Sequence, residues 1–480
     1  MILTRFCITS WVAVIFGLAA YTLFGHGYVS DLTLRQIADH MVRGLPNGNH
    51  FTASLPYDIP DAIYEGVAPL LGELHGIVPT ALSLVAGSLL VGLVAAPRAG
   101  RPSPVWTGLV ALTIALNPIV LWSATAMGGK AVAVLVFGLV CSAVTRVAEK
   151  PDIGGFLLLA LGSAIFLFTD PTAVVVMLGL IPWIGLMRTT GDASERPVAY
   201  LLVVGTPVVM SLLALGYLHW TGLGTFSPFL APLNAGTGQD FSWDGPLRST
   251  AMADRLERVP YFALAGLAFF PTVFLLTPSL DKPVRRASAV MLLTVLSAPA
   301  ICAAAMLPFH ALDYLPYFLA PLVVLARYTP RRRRLTVLAA QVASLGLGWS
   351  LLAVPGSSLT NGWAQALTGR HVLSDAAERG AAAWIVRSSQ PIAVDPVTDY
   401  RVIALAGTAR MLVMPADVVD RRPDLHRDAA SVLTVRPHTE PGDVDEINAA
   451  MPDIWFTGRP GDRLAFSRGI YRIWSRGAPE

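Results

Sequence analysis

The sequence predicts a polytopic α-helical membrane protein of about eleven spans, closed by a small α/β domain at its carboxyl end. Three observations predict it. Hydrophobic residues make up 54% of the 480 and charged residues only 14%, and the mean hydropathy of +0.57 lies outside the range of soluble globular chains. Apolar runs of about 20 residues, the length that crosses a 30 Å hydrocarbon core, recur from residue 6 to residue 354. Near Gly356 the composition changes, and charged residues are frequent from there to Glu480.

The expected spans lie near 6–25, 76–96, 105–124, 130–146, 153–169, 171–187, 198–219, 260–277, 287–307, 311–327 and 335–354, separated by short polar or Pro/Gly-marked breaks. No A-x-A-like cleavage site follows the first run, so it reads as a retained helix. Orientation follows from the basic residues of the loops. With the amino terminus inside, the inner loops carry fifteen Lys and Arg, including Arg5, Arg98, Arg101, Arg146 and the run Arg331 to Arg334. The opposite loops carry six: Arg35, Arg43, Lys130, Arg248, Arg255 and Arg258. The prediction is a multi-pass protein of the inner (plasma) membrane, with a cytoplasmic amino terminus and an extracytoplasmic carboxyl domain. The Arg331 to Arg334 run fits this signal without a headgroup-binding role.

Two outer loops are long, 26–65 and 220–259, which points function outward. From Ser30 to Val42, Leu34, Ile37, Ala38 and Met41 recur at helical spacing, predicting an amphipathic helix on the outer membrane face. In domain 356–480, Ser374 to Ser388 reads as a capped helix. Ile392 to Val394, Arg410 to Met414, Val432 to Val435 and Asp453 to Phe456 read as strands, with Leu464 to Phe466 and Ile470 to Trp474 as an edge hairpin. Alternating strands and helices predict a mainly parallel sheet.

The same residues exclude several classes. A net charge of +3 with scattered basic residues does not suit a nucleic-acid partner. Cys7, Cys141 and Cys302 sit inside apolar runs and draw no disulfide framework or thiolate metal cage. No G-x-G-x-x-G turn follows the first strand of the tail, so a nucleotide site has no support.

Several segments carry a family resemblance. Tyr28-Val29-Ser30-Asp31 places an acidic residue just beyond the first span, and residues 61–70 (Asp61 to Leu70) return the loop to the second. Residues 116–130, from Leu116-Asn117-Pro118 to Gly128-Gly129-Lys130, form a span and a tight outer turn. Phe168-Thr169-Asp170-Pro171, His310 to Tyr317 and Ala381-Ala382-Ala383-Trp384-Ile385 complete the set. In this organisation the chain resembles the GT-C superfamily of polytopic glycosyltransferases, which includes protein O-mannosyltransferases and bacterial aminoarabinose transferases. The resemblance implies a GT-C-like domain over 1–355, and a glycosyltransferase that moves a hexosyl or pentosyl group, with inversion, from a polyprenyl-phosphate donor to an envelope glycan, lipid or protein. A divalent metal ion is a further expectation of that chemistry. The pattern departs in one respect: many members carry two adjacent acidic residues in the first loop, whereas Leu32 follows Asp31.

Such a reaction needs a carboxylate to take the acceptor proton and cations to stabilise the departing phosphate. Asp31 is the candidate general base; capping the helix that follows is its structural alternative. Asp39 and His40, further along that helix, are candidates to orient an acceptor or join Asp31 on a metal, against a solvated face as the plainer role. Asp58 and Asp61, with Glu65, form a second acidic cluster on the loop's return that would contact a sugar or simply cap the second span. Lys130, in a tight outer turn with Gly128 and Gly129, and Arg255, Arg258 and His310 are candidate phosphate contacts, and interfacial anchoring is the alternative for each. Asp170 reads as a turn residue. Two other functions stay open. A transporter or flippase for lipid-linked molecules would place polar groups at the bilayer midplane and show inverted repeats, which the sequence does not. A non-catalytic assembly factor would fit the missing second acidic residue.

Overall fold

The computed structural model of the chain describes residues 2–43, 59–71, 76–95, 104–187, 197–223, 256–305, 307, 309–352, 358–370, 376–396, 398–413, 429–437 and 445–476. Helices dominate. Helix α1 (Ile2–Gly25) turns Leu3, Phe6, Trp11, Val14 and Leu18 outward, an apolar face suited to lipid. After it come α2 (Asp31–Arg43), α3 (Ile59–Leu71), α4 (Val78–Gly92), α5 (Pro104–Ala115), α6 (Pro118–Ala126), α7 (Lys130–Glu149), α8 (Ile153–Leu167), α9 (Pro171–Trp183) and α10 (Pro197–Leu223). The second half adds α11 (Arg258–Phe269), α12 (Pro271–Leu276), α13 (Lys282–Leu296), α14 (Ala298–Ala304), α15 (Ala311–Tyr314), α16 (Leu319–Ala326), α17 (Arg334–Leu352) and α18 (Ser358–Leu367).

Among the described residues Leu3–Gly25 and Lys130–Glu149 are each long and apolar enough to cross a bilayer, and counting each of two bent pairs as one span raises that number to four. Other apolar stretches are helices of 10–17 residues, among them Val78–Gly92 and Ile153–Leu167. The expected span at 105–124 is not one straight helix: α5 and α6 meet at 67°. The break has a local cause. Asn117 takes an extended backbone, its side chain accepts from the Ile119 amide at 3.1 Å, and Pro118 occupies the first position of α6, where a missing N–H costs nothing. Asp170 and Pro171 open α9 in the same way, with Asp170 accepting from the Thr172 amide at 2.7 Å.

Helix α7 is the axis of the bundle, packed by α4, α8, α13 and α16. Small residues permit the approach: a Cβ on Gly138 would stand 2.6 Å from Leu90, so a larger residue would push α7 and α4 apart. Just past the expected boundary at 355, α18 joins the same core. Its Trp363 is fully buried, stacks on Trp349 at 5.7 Å and donates to Thr125 Oγ1 at 3.1 Å.

The carboxyl domain holds α19 (Ala376–Arg387), β1 (Ile392–Ala393), α20 (Tyr400–Ala406), β2 (Leu412–Val413), β3 (Ser431–Val435), α21 (Glu446–Ala450), α22 (Ile454–Thr457), β4 (Arg463–Arg468) and β5 (Tyr471–Ser475). Strand order is β2-β1-β3-β5-β4; the first three strands are parallel and the hairpin β4–β5 joins antiparallel through β5. The sheet is therefore mixed. Alternation sends Ile392, Leu433 and Ile473 to the face covered by α19 and α20, and Ala393, Val432 and Trp474 to the face of α21 and α22. The expected strand at 453–456 is instead the short helix α22. It stops at Gly458, whose φ of +67° and contact with the Trp474 ring suit glycine.

The expected placement of α2 on the membrane face also changes. Its apolar residues Ala38 and Val42 are buried in one cluster with Ile385, Val402, Ile403 and Leu433 of the carboxyl domain, and α2 packs along α20. An amphipathic stripe states that a helix covers something apolar; here a protein surface takes the place assigned to lipid.

Candidate functional site

The site is built where α2 and α3 lie over the start of α7. Gly128 has φ +56°, and a Cβ there would come within 2.6 Å of Gln36 Oε1; a Cβ on Gly129 would come within 2.3 Å of Pro60. The Gly128-Gly129 turn is thus glycine for two reasons, backbone conformation and the closeness of α2 and α3. Gln36 Nε2 donates to Asp61 Oδ1 at 3.3 Å, while the buried Gln36 Oε1 has no hydrogen-bond partner among the described residues. His40 meets Tyr64 with ring centroids 4.7 Å apart. Burial and the Asp61 charge push the Tyr64 phenol well above its ordinary range. The Ile59 amide donates to the Phe168 carbonyl at 2.7 Å, which ties α3 to the corner before α9.

Directly after the glycines, Lys130 is 8% exposed and its Nζ lies 2.8 Å from Asp313 Oδ1. Asp170 is the next carboxylate acting on Lys130, and His310 lies beside Asp313. The buried His310 Nε2 has no hydrogen-bond partner among the described residues. Thr172 links to Tyr317 at 2.9 Å, closing the ring formed by the starts of α7, α9 and α15. Arg258 opens α11 one turn before Phe262, whose ring packs on Phe309 at 5.2 Å, next to His310.

An apolar groove of about 440 Å³ lies between α9, α10 and α14. Its lining includes Val174 and Leu178 of α9, Leu212 and Gly216 of α10, Ile301 of α14, and Leu307. Val174 is one turn beyond Asp170, and Leu307 is three residues before His310.

Asp31 lies elsewhere on α2. It is 8% exposed, and its Oδ1 is 2.7 Å from Arg401 Nη2 of α20. Arg401 Nη1 is 3.7 Å from Glu378 Oε1, and its Nε donates to Tyr400 Oη at 3.3 Å. Burial works to lower the pKa of Arg401, but Asp31 and Tyr400 outweigh it and hold the guanidinium above its ordinary value. Burial, then the Asp31 charge, push the Tyr28 phenol up, with Arg401 acting against them. The structural alternative for Asp31 is corrected: the cap of α2 is Ser30, whose Oγ accepts from the Thr33 amide at 3.2 Å, and Asp31 is the first helical residue.

Lys130, His310 and Asp61 are thus brought around one turn with α2 above it, and Asp31 is drawn toward the carboxyl domain. Asp39 is half-buried on α2. Asp58 and Arg255 lie outside the described residues. Among the described residues no three His, Cys, Asp or Glu are grouped to hold a metal ion. Asp313, Gln36, Glu378 and Arg401 were not among the residues the sequence singled out. Asp313 carried a faint signal, three residues from His310 on one turn; Arg401 carried none.

No protein-family model and no curated protein sequence matches the chain. Solved structures do. ArnT from Cupriavidus metallidurans matches over 98% of both chains at 13% identity, with TM-scores of 0.55 for the crystal structure bound to undecaprenyl phosphate and 0.53 for the apo state. Over nearly its whole length, then, the chain has the fold of ArnT.

Proposed function

We propose that the protein is a membrane glycosyltransferase that takes a sugar from a polyprenyl-phosphate donor and passes it to an envelope acceptor on the extracytoplasmic face. The observation that carries this reading is the buried Lys130–Asp313 pair beside His310, taken together with the apolar groove between α9, α10 and α14, whose lining residue Val174 lies one turn beyond Asp170. A phosphate on a long isoprenoid has two ends of opposite character. The ammonium of Lys130 and the unpartnered His310 nitrogen suit the first, and an apolar groove suits the second. The ArnT structure bound to undecaprenyl phosphate is of the same fold, which supports the same class of ligand here.

In this reading an acceptor hydroxyl oxygen forms a bond to the anomeric carbon as the bond from that carbon to the phosphate oxygen breaks, with inversion. The hydroxyl proton passes to a carboxylate, for which Asp31 is the candidate, and the polyprenyl phosphate leaves against Lys130. Arg258 and Arg255 remain candidates for the second phosphate contact, and Asp39, His40, Asp58 and Asp61 for the sugar or acceptor. The sugar, the acceptor and the eleven-span topology with an inside amino terminus belong to the same proposal.

The test is binding of undecaprenyl phosphate to purified protein in nanodiscs. The parent should bind it, and Lys130→Gln should weaken binding by about 10-fold or more, the loss of one charge-assisted contact. Equal binding by both would remove the phosphate site. One observation favours a second reading, a non-catalytic assembly factor: Asp31 is buried and ion-paired. Lipid binding without turnover of any lipid-linked sugar would select it.

A further inference from the structure

We infer that Arg401 is a positioning residue that clamps α2, making the carboxyl domain a working part of the site over Lys130. The bearing of this on catalysis rests on the proposed transferase reading; the clamp itself does not.

Asp31 and Glu378 come from α2 and α19, and each is nearly buried, at 8% and 7% exposure. They share one guanidinium, at 2.7 Å and 3.7 Å. Glu378 Oε2 is buried and has no hydrogen-bond partner among the described residues, and Arg401 pairs with both carboxylates. Arg401 also sits on one aromatic ring with Arg35 of α2: Tyr400 has the Arg35 guanidinium 4.6 Å and the Arg401 guanidinium 6.0 Å from its centroid. Removing Arg401 takes from both nearly buried carboxylates the guanidinium they share, and breaking a buried pair by removing one partner is strongly destabilising.

The consequence reaches the site because α2 has two occupied faces. Ala38 and Val42 are fixed in the carboxyl domain, while Gln36 lies on the Gly128-Gly129 turn and Asp61, and His40 on Tyr64. A helix held on one side by a domain and forming the roof of a site on the other transmits docking of that domain to the site. Arg401 sets the seat of Asp31 and, through α2, of Gln36.

The experiment uses full-length protein in nanodiscs and reads hydrogen exchange of the α2 amides. Arg401→Gln and Arg401→Asp should speed exchange across 31–43 by at least about tenfold, the result of breaking a largely buried pair. The charge swap Asp31→Arg with Arg401→Asp should bring exchange back toward the parent, a rescue that a general loss of packing would not give. Glu378→Gln keeps the shape, removes the competing carboxylate, and should leave α2 exchange at or below the parent's; it serves if the swap does not fold. Unchanged α2 exchange in Arg401→Gln overturns the clamp, as does faster exchange in Glu378→Gln. Binding of undecaprenyl phosphate is measured on the same samples, and Arg401→Gln should weaken it several-fold, with recovery in the swap. If exchange responds while none of the samples, the parent included, binds the lipid, the clamp stands and the transferase reading falls.

Discussion

Two groups of buried carboxylates lie in and around the carboxyl domain, and they are neutralised in opposite ways. Asp31 and Glu378 have a guanidinium placed between them. Asp395, Asp399 and Asp445 gather past the carboxyl ends of β1 and β3, where the charges acting on Asp399 are Asp445 and Asp395, both of its own sign. Burial, then those neighbours, push Asp399 well above the carboxylate range. Asp445 is pushed up to about 6 by burial, although the Ile447 and Asn448 amides donate to it at 2.8 Å and 3.0 Å. Burial raises a carboxylate's pKa, and carboxylate neighbours raise it further. The first group joins α2 to α19 through α20, and the second lies wholly inside the carboxyl domain.

The sharpest way to break this contrast is Asp31→Asn. Asn keeps the size and an acceptor for Arg401 but cannot take a proton, so transfer from a lipid-linked sugar should fall by about 10²- to 10⁴-fold while the protein stays folded. Activity equal to the parent's would make Asp31 a docking residue alone and send the search for the base to Asp61, Asp39 or Asp58.

How far these groups could be read from sequence differs for a physical reason. Helices were legible because each must show an apolar face to lipid or to a neighbour, which leaves a local pattern. The break at Asn117 was harder, since Asn-Pro inside a long apolar run looks like a tolerated kink until the capping hydrogen bond is seen. Helix α22 reads as a strand in the sequence because four residues are too few for either period to declare itself. In the site, Lys130 and Asp31 stood out as charges at span ends, but their partners Asp313 and Arg401 lie far along the chain and pair only after folding. Amphipathicity predicted a buried face on α2 and gave no means of telling lipid from Val402 and Ile403.

A smaller effect separates the groups by pH. For Asp399 and Asp445 the folded-state pKa is raised, so the folded domain holds protons that the unfolded chain releases. Their contribution is fully present below about pH 4, the ordinary carboxylate value, and is lost as pH rises through about 6 for Asp445. A displacement of that size corresponds to at most about 3 kcal/mol. Thermal unfolding of the carboxyl domain should therefore move to lower temperature between pH 4 and pH 7. Asp399→Asn, which leaves an uncharged side chain able to accept from the Asp395 amide, should flatten that slope. A slope of the opposite sign would show that the cluster is paired by a cation after all.

The smallest effect belongs to Ser30, and it isolates what Asp31 does not do. Because Ser30 Oγ takes the Thr33 amide at 3.2 Å and also meets Thr33 Oγ1 at 2.9 Å, Ser30→Ala removes the cap of α2 and leaves every carboxylate in place. Loss of such a cap costs about 1 kcal/mol. The variant should melt slightly earlier, yet its turnover per folded molecule should match the parent's, since neither the proposed base nor the Lys130 group is altered. Set beside Asp31→Asn, this pair of neighbouring substitutions divides stability from chemistry at one helix start. If Ser30→Ala lowered turnover as much as Asp31→Asn, the seat of α2 and not the Asp31 carboxylate would limit the reaction, and the role assigned to Asp31 would pass to the clamp that holds it.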